Sequence, residues 1–416
     1  MIVFKELTEK FSTAMTAQLS DSDIVIVGFV RTPIGRFGGA FRNVKPQYLA
    51  AECIRLLLER AKVEEKLVDE VIVGSALQGG FGQNIARQAA LLAGLPVSVG
   101  AYTVNRVCSS GMQAVFEAYR QLRVGDAKLI VAGGVESMST CPLAVSHEVR
   151  WGIRHCVVRK FELIDLMVHD GLLDPVTYML MGEEADKVAR LHNVPRDLLD
   201  WIAYQSHIRA WTATQRKLYI DLEPIDTKIN GEKVHLEHDE GIRPDTSLEK
   251  LSKLGPVFTP EGPHTAGNSS QLSDGAAMLL LTTVKYAREL GLRPVARIVG
   301  YTWVATETWK FVEAPVQVIQ RLLTKLNWTV QDVDVFEVNE AFAVVPALVN
   351  KYLDIPFNKM NILGGAIALG HPLGATGARI ITTLIAALKH IGGKRGIAAL
   401  CHGTGGATAI AIELVD

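Results

Sequence analysis

Closely spaced cysteines are missing from this sequence. Its 416 residues include five cysteines, and no Cys-x-x-Cys pair occurs among them. Metal sites and disulfide frameworks usually need such spacing, and an odd number of cysteines in a chain of this size indicates reduced thiols. The sequence therefore predicts no metal centre, no disulfide framework and a cytoplasmic location.

An excess of charge and long apolar runs are missing as well. The chain has 43 Lys and Arg residues against 44 Asp and Glu residues. Without net charge, it has no broad electrostatic attraction to nucleic acid or to an anionic membrane surface. No apolar run reaches the roughly 18 residues that a membrane-spanning helix needs. We therefore expect neither nucleic acid nor a membrane among its partners.

The sequence also lacks the fingerprints of nucleotide cofactors. The glycine-rich stretch from Gly364 to Gly377 does not follow the order Gly-x-Gly-x-x-Gly, and no Gly-x-x-x-x-Gly-Lys-[Ser/Thr] motif occurs. These motifs are what cradle the phosphates of dinucleotides and nucleoside triphosphates. We expect the protein to work without a bound cofactor.

Residues 1–22 are predicted to be an N-terminal extension. The segment contains Glu6 and Glu9, whereas transit peptides are poor in acids and signal peptides have an unbroken apolar region. Its apolar residues recur with helical spacing, at Phe4, Leu7, Phe11 and Met15. We therefore expect a helix here rather than a targeting peptide.

Signals for strands and helices alternate along the chain. The β-branched runs 23–28 and 68–74 both end in glycine, and a helical segment at 49–61 separates them. Strand, helix and strand at this spacing predict crossover connections and the parallel sheet of an α/β fold.

The order of helix and strand then occurs twice more. Helical spacing at 115–122 leads into a strand at 128–132 that ends in Gly133-Gly134, and helical spacing at 381–388 leads into a strand at 396–400. This repetition predicts two duplicated halves.

Three glycine-rich turns carry side chains suited to nucleophilic catalysis. Cys108 lies in Val-Cys-Ser-Ser-Gly, Cys401 in Leu-Cys-His-Gly-Thr-Gly-Gly, and His371 in Gly-His-Pro-Leu-Gly. A thiol needs a base or a helix N-terminus to become a thiolate at neutral pH, and histidine is the side chain best suited to be that base. Together the turns predict acyl transfer through a cysteine thioester.

The cysteines differ in their surroundings. Residues 109–111 are predicted to begin a helix directly after Cys108, and the N-terminus of that helix would lower the pKa of the thiol. We interpret three others as small buried apolar residues: Cys53, Cys141 and Cys156.

The middle of the chain, residues 140–271, has a looser pattern with many basic and aromatic side chains. A long insertion of this kind is more often a lid or a binding loop than a structureless linker. We expect substrate recognition there, and a solvated charged surface is the alternative.

Ordered motifs from about Asp23 to the C-terminus resemble those of the thiolase family. They are Arg-Thr-Pro-Ile-Gly at 31–35, Gly-Gln-Asn at 82–84, Asn-Arg-Val-Cys-Ser-Ser-Gly at 105–111, Gly-Gly-Val-Glu-Ser-Met-Ser at 133–139, Thr-Ala-Gly-Asn-Ser-Ser at 265–270, Asn-Glu-Ala-Phe-Ala at 339–343, the stretch 361–377 and Cys-His-Gly at 401–403. The resemblance implies a five-layered αβαβα fold of two similar halves with an inserted loop domain that covers coenzyme A. The boundaries expected are 1–22 for the extension, 23–139 for the N-terminal half, completed by about 272–293, 140–271 for the insertion and 294–416 for the C-terminal half.

The resemblance also implies roles for single residues. Cys108 would take the acetyl group, His371 would be its base, and Cys401 would remove or return the α-proton of the second acyl-CoA. His371 with a water held by Asn339 would form one oxyanion hole, and the backbone N–H groups of Cys108 and Gly403 would form the other. The coenzyme A contacts implied are Ser270, Arg216, Met181, Ala341 and Phe342.

This sequence departs from the family pattern at a few positions. Leu180 precedes Met181 where biosynthetic members often have histidine, which leaves the acyl chain length open. Gln271 stands where a glycine usually follows Ser270. Thr404 replaces a glycine in the turn after Cys401. Because threonine tolerates a positive φ poorly, a change in the conformation of this turn stays an open alternative.

The resemblance implies an acetyl-CoA C-acetyltransferase that interconverts two acetyl-CoA with acetoacetyl-CoA and coenzyme A. Two alternatives stay open, a degradative 3-ketoacyl-CoA thiolase of broad range and a non-catalytic scaffold that binds coenzyme A in a larger complex. The expected partners are acyl-CoA substrates and further copies of the chain in a homodimer or homotetramer.

Overall fold

The structure, a computed structural model, describes residues 19–151, 162–229 and 231–415. The strands are β1 Ile24–Arg31, β2 Gly35–Arg36, β3 Glu70–Gly74, β4 Gly100–Val104, β5 Leu129–Ser137, β6 Leu143–Val145, β7 Leu163–Asp165, β8 Ile225–Ile229, β9 Glu232–Leu236, β10 Ser273–Thr283, β11 Ala296–Ala305, β12 Val335–Val338, β13 Arg395–His402 and β14 Gly406–Leu414. Most of the predicted N-terminal extension, residues 1–18, and Cys156 lie outside the described residues.

The helices connect these strands and cover them. They are α1 Pro46–Ala61, α2 Ile85–Leu92, α3 Ser110–Val124, α4 Leu166–Gly171, α5 Met181–Leu191, α6 Arg196–Gln215, α7 Leu248–Ser252, α8 Val284–Glu289, α9 Ala314–Leu326, α10 Val344–Leu353, α11 Ala366–Leu369 and α12 Leu373–Ile391. Short 3₁₀ turns occur at Glu65–Leu67, Met138–Thr140, His147–Trp151, Thr308–Glu313 and Val330–Asp332.

The large strands form two similar sheet halves that meet edge to edge. One half has the order β4-β3-β5-β10-β1 and the other β11-β14-β13-β12, and β1 pairs with β11 where they join. In the first half β3 is parallel to both β4 and β5, because helices form the crossovers, whereas β10 and β1 are antiparallel. The sheet is therefore mixed, not purely parallel as the strand and helix spacing alone predicted.

The helices lie in three layers around these two halves. Alternate residues of β5 point to opposite faces, so Val131 packs with α1 and α2 outside whereas Ala132 faces the interior. The interior layer is α3 with α12, and α12 is buried from Leu373 to Leu388 around its whole circumference. Helices α9 and α10 cover the outer face of the second half. This αβαβα arrangement confirms the predicted fold class.

The glycines of β5 do not end the strand, as the sequence suggested, but let a helix approach it. Strand β5 continues beyond Gly133-Gly134, and both glycines are buried. A Cβ atom at Gly134 would lie 2.0 Å from the carbonyl oxygen of Gly374 in α12. Only glycine permits this approach, which brings the first turn of α12 against the strand.

The glycine of β1 was also predicted to end its strand. The structure instead continues β1 through Gly28, where the register with β10 shifts between Ile26 and Gly28. An irregularity of this kind absorbs a local change of pairing without ending the strand.

Two further features concern only the described part of the chain. Within residues 19–151, 162–229 and 231–415, no helix is long and apolar enough to cross a membrane. In the same ranges, no group of three or more His, Cys, Asp or Glu side chains is placed to hold a metal ion.

Candidate active site

Cys108 lies in a tight turn between β4 and α3. The residue before it, Val107, has a φ of 49°, which a β-branched residue adopts only under constraint. The Ser110 hydroxyl supplies that constraint, because it donates to the Val107 carbonyl at 2.6 Å and accepts from the Arg106 N–H at 2.8 Å. The Asn105 side chain accepts from the Val107 N–H at 2.8 Å. These contacts hold the sulfur at the start of the interior helix α3.

His371 lies between α11 and α12, and its ring is held by the first turn of α12. The Thr376 hydroxyl donates to the Pro372 carbonyl at 2.8 Å, and its oxygen lies 2.7 Å from His371 Nδ1. Because the single hydroxyl proton is used on Pro372, the Thr376 oxygen accepts from Nδ1–H. His371 Nε2 is then free to act as a base.

Asn339 directs its amide group at that base. Its side-chain Nδ2 lies 3.5 Å from His371 Nε2, and its backbone N–H donates to the Ala399 carbonyl of β13 at 2.9 Å. The side chain follows directly after β12 and is 1% exposed. Donor hydrogens beside a general base suit an oxyanion hole.

Cys401 lies near the end of β13, where a short turn leads into β14. The strands pair Cys401 with Ala407 and His402 with Gly406, so the turn consists of residues 403–405. Thr404 adopts a φ of 67°, and its side chain is exposed. The Gly403 N–H nevertheless faces the Cys108 sulfur and favours its thiolate form. The turn thus keeps this donor in place although Thr404 replaces glycine.

A cavity of about 270 Å³ reaches Cys108 and His371 from the inserted segment. Cys108 and His371 line it together with four of the five residues expected to contact coenzyme A: Ser270, Met181, Ala341 and Phe342. The Ser270 N–H donates to the Ala341 carbonyl at 3.0 Å, which joins two of these motifs. Arg216 is different, since it follows α6 on the surface and does not line this cavity.

Two family models match the chain in succession. The model described as "Thiolase, N-terminal domain" covers residues 24–285, and the model described as "Thiolase, C-terminal domain" covers residues 292–414. The chain belongs to the thiolase family. The resemblance stated from the motifs is thereby confirmed.

Similar proteins agree with this assignment. The thiolase is 46% identical over 396 residues to an acetyl-CoA acetyltransferase of Synechocystis, covering 94% of this chain and 100% of that one. It is 40% identical to an acetyl-CoA acetyltransferase of Cupriavidus necator, covering 94% and 99%. A crystal structure of the Bacillus anthracis acetyl-CoA acetyltransferase superposes with a TM-score of 0.91 at 41% identity, covering 94% and 99%.

Burial decides the resting protonation of the two thiols of this thiolase. It raises the pKa of Cys108 to about 12, although the N–H groups of Gly403 and of Cys108 itself oppose the shift. The net shift is therefore upward, opposite to the lowering expected from the N-terminus of α3, because loss of solvent outweighs the N–H donors. Burial also raises the pKa of Cys401 well above its usual value, and a charge on Cys108 would raise it further.

His371 is correspondingly neutral. Burial lowers its pKa to about 3, and the nearby Arg379 guanidinium lowers it in the same direction. At rest the site therefore holds protonated thiols and a neutral imidazole whose Nε2 can accept a proton.

Three positions that sequence reasoning left without a role support the site. Thr376 selects the tautomer of His371, as described above. The Glu136 carboxylate accepts from the backbone N–H groups of Ala76, Leu77 and Gly374, which ties β5 to the start of α12. Gln271 donates to the carbonyls of Gly241 and Ile367, each at 3.0 Å. Glu136 and Thr376 lie within quoted motifs, but only their partners in space reveal these functions.

Replacing Thr404 with glycine is expected to stabilise the thiolase. A non-glycine residue at positive φ costs on the order of 1–3 kcal/mol, and glycine loses part of that gain through its greater freedom in the unfolded chain. We expect Thr404→Gly to raise the free energy of unfolding by about 1 kcal/mol in urea denaturation, with activity retained.

Thr404→Ala is the matched control for this substitution. It removes the hydroxyl but keeps the Cβ atom, so it should give no comparable gain. Equal stability of the glycine and alanine variants would contradict strain at this residue.

Proposed function

We propose that this thiolase is an acetyl-CoA C-acetyltransferase that interconverts two acetyl-CoA with acetoacetyl-CoA and free coenzyme A. The observation that supports this most directly is the cavity that Cys108 and His371 line together, with the buried thiol of Cys401 close enough to Cys108 for a charge on that sulfur to raise its pKa. One thiol can hold the acetyl group while the other handles a proton, which neither could do alone. The names of the relatives described above point to the same reaction.

In the first half-reaction, Cys108 becomes acetylated. Its proton moves to His371 Nε2, and the thiolate forms a bond to the carbonyl carbon of acetyl-CoA. The N–H groups of Cys108 and Gly403 are placed to stabilise the resulting oxyanion. The bond to the coenzyme A sulfur then breaks, and coenzyme A leaves with the proton from His371.

In the second half-reaction, carbon attacks carbon. After Cys401 has passed its proton to His371, its thiolate removes the α-proton of a second acetyl-CoA. The protonated His371 and a water held by Asn339 stabilise the enolate oxygen. The enolate carbon attacks the acetyl group on Cys108, the bond to that sulfur breaks, and His371 returns the proton to Cys108. Every step uses side chains of this chain, so we propose that the reaction needs no cofactor.

The decisive test combines turnover with trapping of the acyl-enzyme. The purified protein is mixed with acetoacetyl-CoA and coenzyme A, loss of the 3-ketothioester is followed, and the acetylated peptide is sought by mass spectrometry. We expect turnover, with acetyl on Cys108. Coenzyme A binding without turnover and without an acyl-enzyme would instead support the non-catalytic scaffold.

A second candidate, a degradative thiolase of broad range, is favoured by one observation. A second cavity of about 430 Å³ lies against the turn at Gly403 and Thr404, and Met181 lines both this cavity and the one that reaches Cys108. Acyl chains longer than acetoacetyl could use that space if Met181 moved. Comparing kcat/KM for acetoacetyl-CoA and a long-chain 3-ketoacyl-CoA separates the two functions.

We also propose that the chain assembles as a homodimer or homotetramer in the cytoplasm. Strand β4 ends the sheet, and within the described residues it pairs only with β3. An open strand edge is a natural surface for pairing with a second copy. For the substrates, Ser270, Met181, Ala341 and Phe342 are proposed as coenzyme A contacts, whereas the exposed Arg216 could meet only the nucleotide end.

A further inference from the structure

The orientation of the Asn339 amide decides whether it can assist the second half-reaction. Its NH₂ end must face the substrate side, where His371 Nε2 lies 3.5 Å away. If the amide were turned by 180°, its carbonyl oxygen would face the unprotonated Nε2 of His371, and acceptor would meet acceptor. Something must therefore hold the amide in the productive orientation.

Arg379 contacts the other end of that amide. Its Nη2 donates to Asn339 Oδ1 at 3.4 Å, and the side chain is 2% exposed inside α12. A guanidinium has donors only, so it accommodates the oxygen of Asn339 and disfavours the NH₂ group. Among the described residues, Arg379 Nε and Nη1 have no hydrogen-bond partner. The contact with Asn339 is thus the one hydrogen bond that this buried guanidinium makes there.

The elements that carry these side chains make the contact possible. Thr376 and Arg379 are three residues apart on α12 and therefore share one face of the helix. Thr376 holds His371 and Arg379 holds Asn339, so this single face orients both side chains of the proposed enolate site.

Strand β12 places a buried carboxyl group near Arg379. Glu337 and Asn339 are two residues apart at the end of this strand, and Glu337 is 1% exposed. Burial raises the pKa of Glu337 to about 8 and lowers the pKa of Arg379, and the electrostatic interaction between the two side chains opposes both shifts. This interaction offsets part of the cost of burying the guanidinium.

We propose that Arg379 is a positioning residue that acts through Asn339, holding its amide so that the NH₂ group faces the enolate of the second acetyl-CoA. The inference rests on the proposed function. It assigns Arg379 to the carbon–carbon step and not to acetylation of Cys108, for which the donors are the backbone N–H groups of Cys108 and Gly403.

The test compares two reactions of the full-length protein. Exchange of acetyl between acetyl-CoA and isotopically labelled coenzyme A requires only the first half-reaction, whereas thiolysis of acetoacetyl-CoA also requires the carbon–carbon step. For Arg379→Met, we expect thiolysis per Cys108 that acetyl-CoA can acetylate to fall about 10- to 100-fold, the usual scale for loss of an orienting partner, while exchange falls only a few-fold. Arg379→Lys, which keeps a donor and the charge, should recover part of the loss.

Normalising each rate to the amount of Cys108 that becomes acetylated with acetyl-CoA alone removes the effect of any misfolded fraction. Arg209→Met is the matched control, because Arg209 is a partly buried arginine that donates to the carbonyls of Met360 and Asn361 and not to Asn339. It should leave the ratio of thiolysis to exchange unchanged.

A double-mutant cycle separates positioning from general stability. If Arg379 acts through Asn339, Arg379→Met should have little further effect on thiolysis in the Asn339→Ala protein. Additive losses, or equal losses of exchange and thiolysis in Arg379→Met, would overturn the inference. Absence of both reactions in the unmodified protein would instead contradict the proposed function itself.

Discussion

The Cys108→Ala protein is expected to form no acetyl-enzyme and to lose turnover of acetoacetyl-CoA on the order of 10⁶-fold, the scale seen when a covalent enzyme loses its nucleophile. Cys108 is 1% exposed, lies in the cavity that His371 lines, and has the Gly403 N–H beside its sulfur. Among the residues that the structure describes, no other thiol lines that cavity. Mass spectrometry after mixing with acetyl-CoA, together with the thiolysis rate, measures both effects.

Cys141→Ala is the control for this substitution. Cys141 is a free, partly buried cysteine that packs against the same interior cluster but does not line the cavity. We expect the Cys141→Ala protein to match the unmodified protein in acetylation of Cys108 and in turnover. An acetyl group that still appears on the Cys108→Ala protein would show that another residue is the nucleophile.

The Cys401→Ala protein is expected to separate the two half-reactions. Exchange of acetyl between acetyl-CoA and labelled coenzyme A should persist, because Cys108, His371 and the Gly403 N–H are unchanged. Thiolysis of acetoacetyl-CoA should fall about 10²- to 10⁴-fold, the usual contribution of a general acid or base. With acetyl-CoA as the only substrate, acetylated Cys108 should accumulate, since the carbon–carbon step no longer consumes it.

The size of the replaced group can be controlled at the same position. Cys401→Ser keeps a similar shape but is a much weaker acid, so it should fail in thiolysis nearly as badly as alanine while retaining exchange. Loss of exchange and thiolysis to the same extent in both variants would contradict a separate role for Cys401. Cys401 is fully buried in the apolar cluster that α9 and α10 form on the outer face of the second sheet half. The folded fraction must therefore be verified for each variant.

Burial of the two thiols opposes the ionisation that catalysis requires. Desolvation keeps Cys108 and Cys401 protonated at rest, which protects them from reaction in the absence of substrate. A substrate thioester supplies an electrophilic carbonyl carbon. The donors of the oxyanion hole then face the negative charge that develops on the carbonyl oxygen. We therefore regard proton transfer to His371 as part of the reaction and not as a property of the resting site.

Local sequence determined the chemistry of this protein and much of its architecture. The cysteines and the histidine stand out because each lies in its own short glycine-rich turn, and neighbours in the chain are enough to reveal such turns. The α/β class follows likewise from the alternation of strand and helix patterns, which depends on period and not on distant contacts. The five-layered arrangement came from the ordered motifs of a known family.

Tertiary structure decided what depends on residues far apart in the chain. The pKa of Cys108 rises because surrounding elements exclude solvent from the thiol. The lowering of the pKa that the sequence predicted from the following helix N-terminus is not the net result. Gly134 permits the close approach of a helix residue, Gly374, that lies 240 residues later in the chain. Arg216, chosen from a loose match, lies on the surface away from the cavity. Hydrogen bonding and desolvation depend on neighbours in space, so the orientation of Asn339 and the tautomer of His371 became visible only in the folded chain.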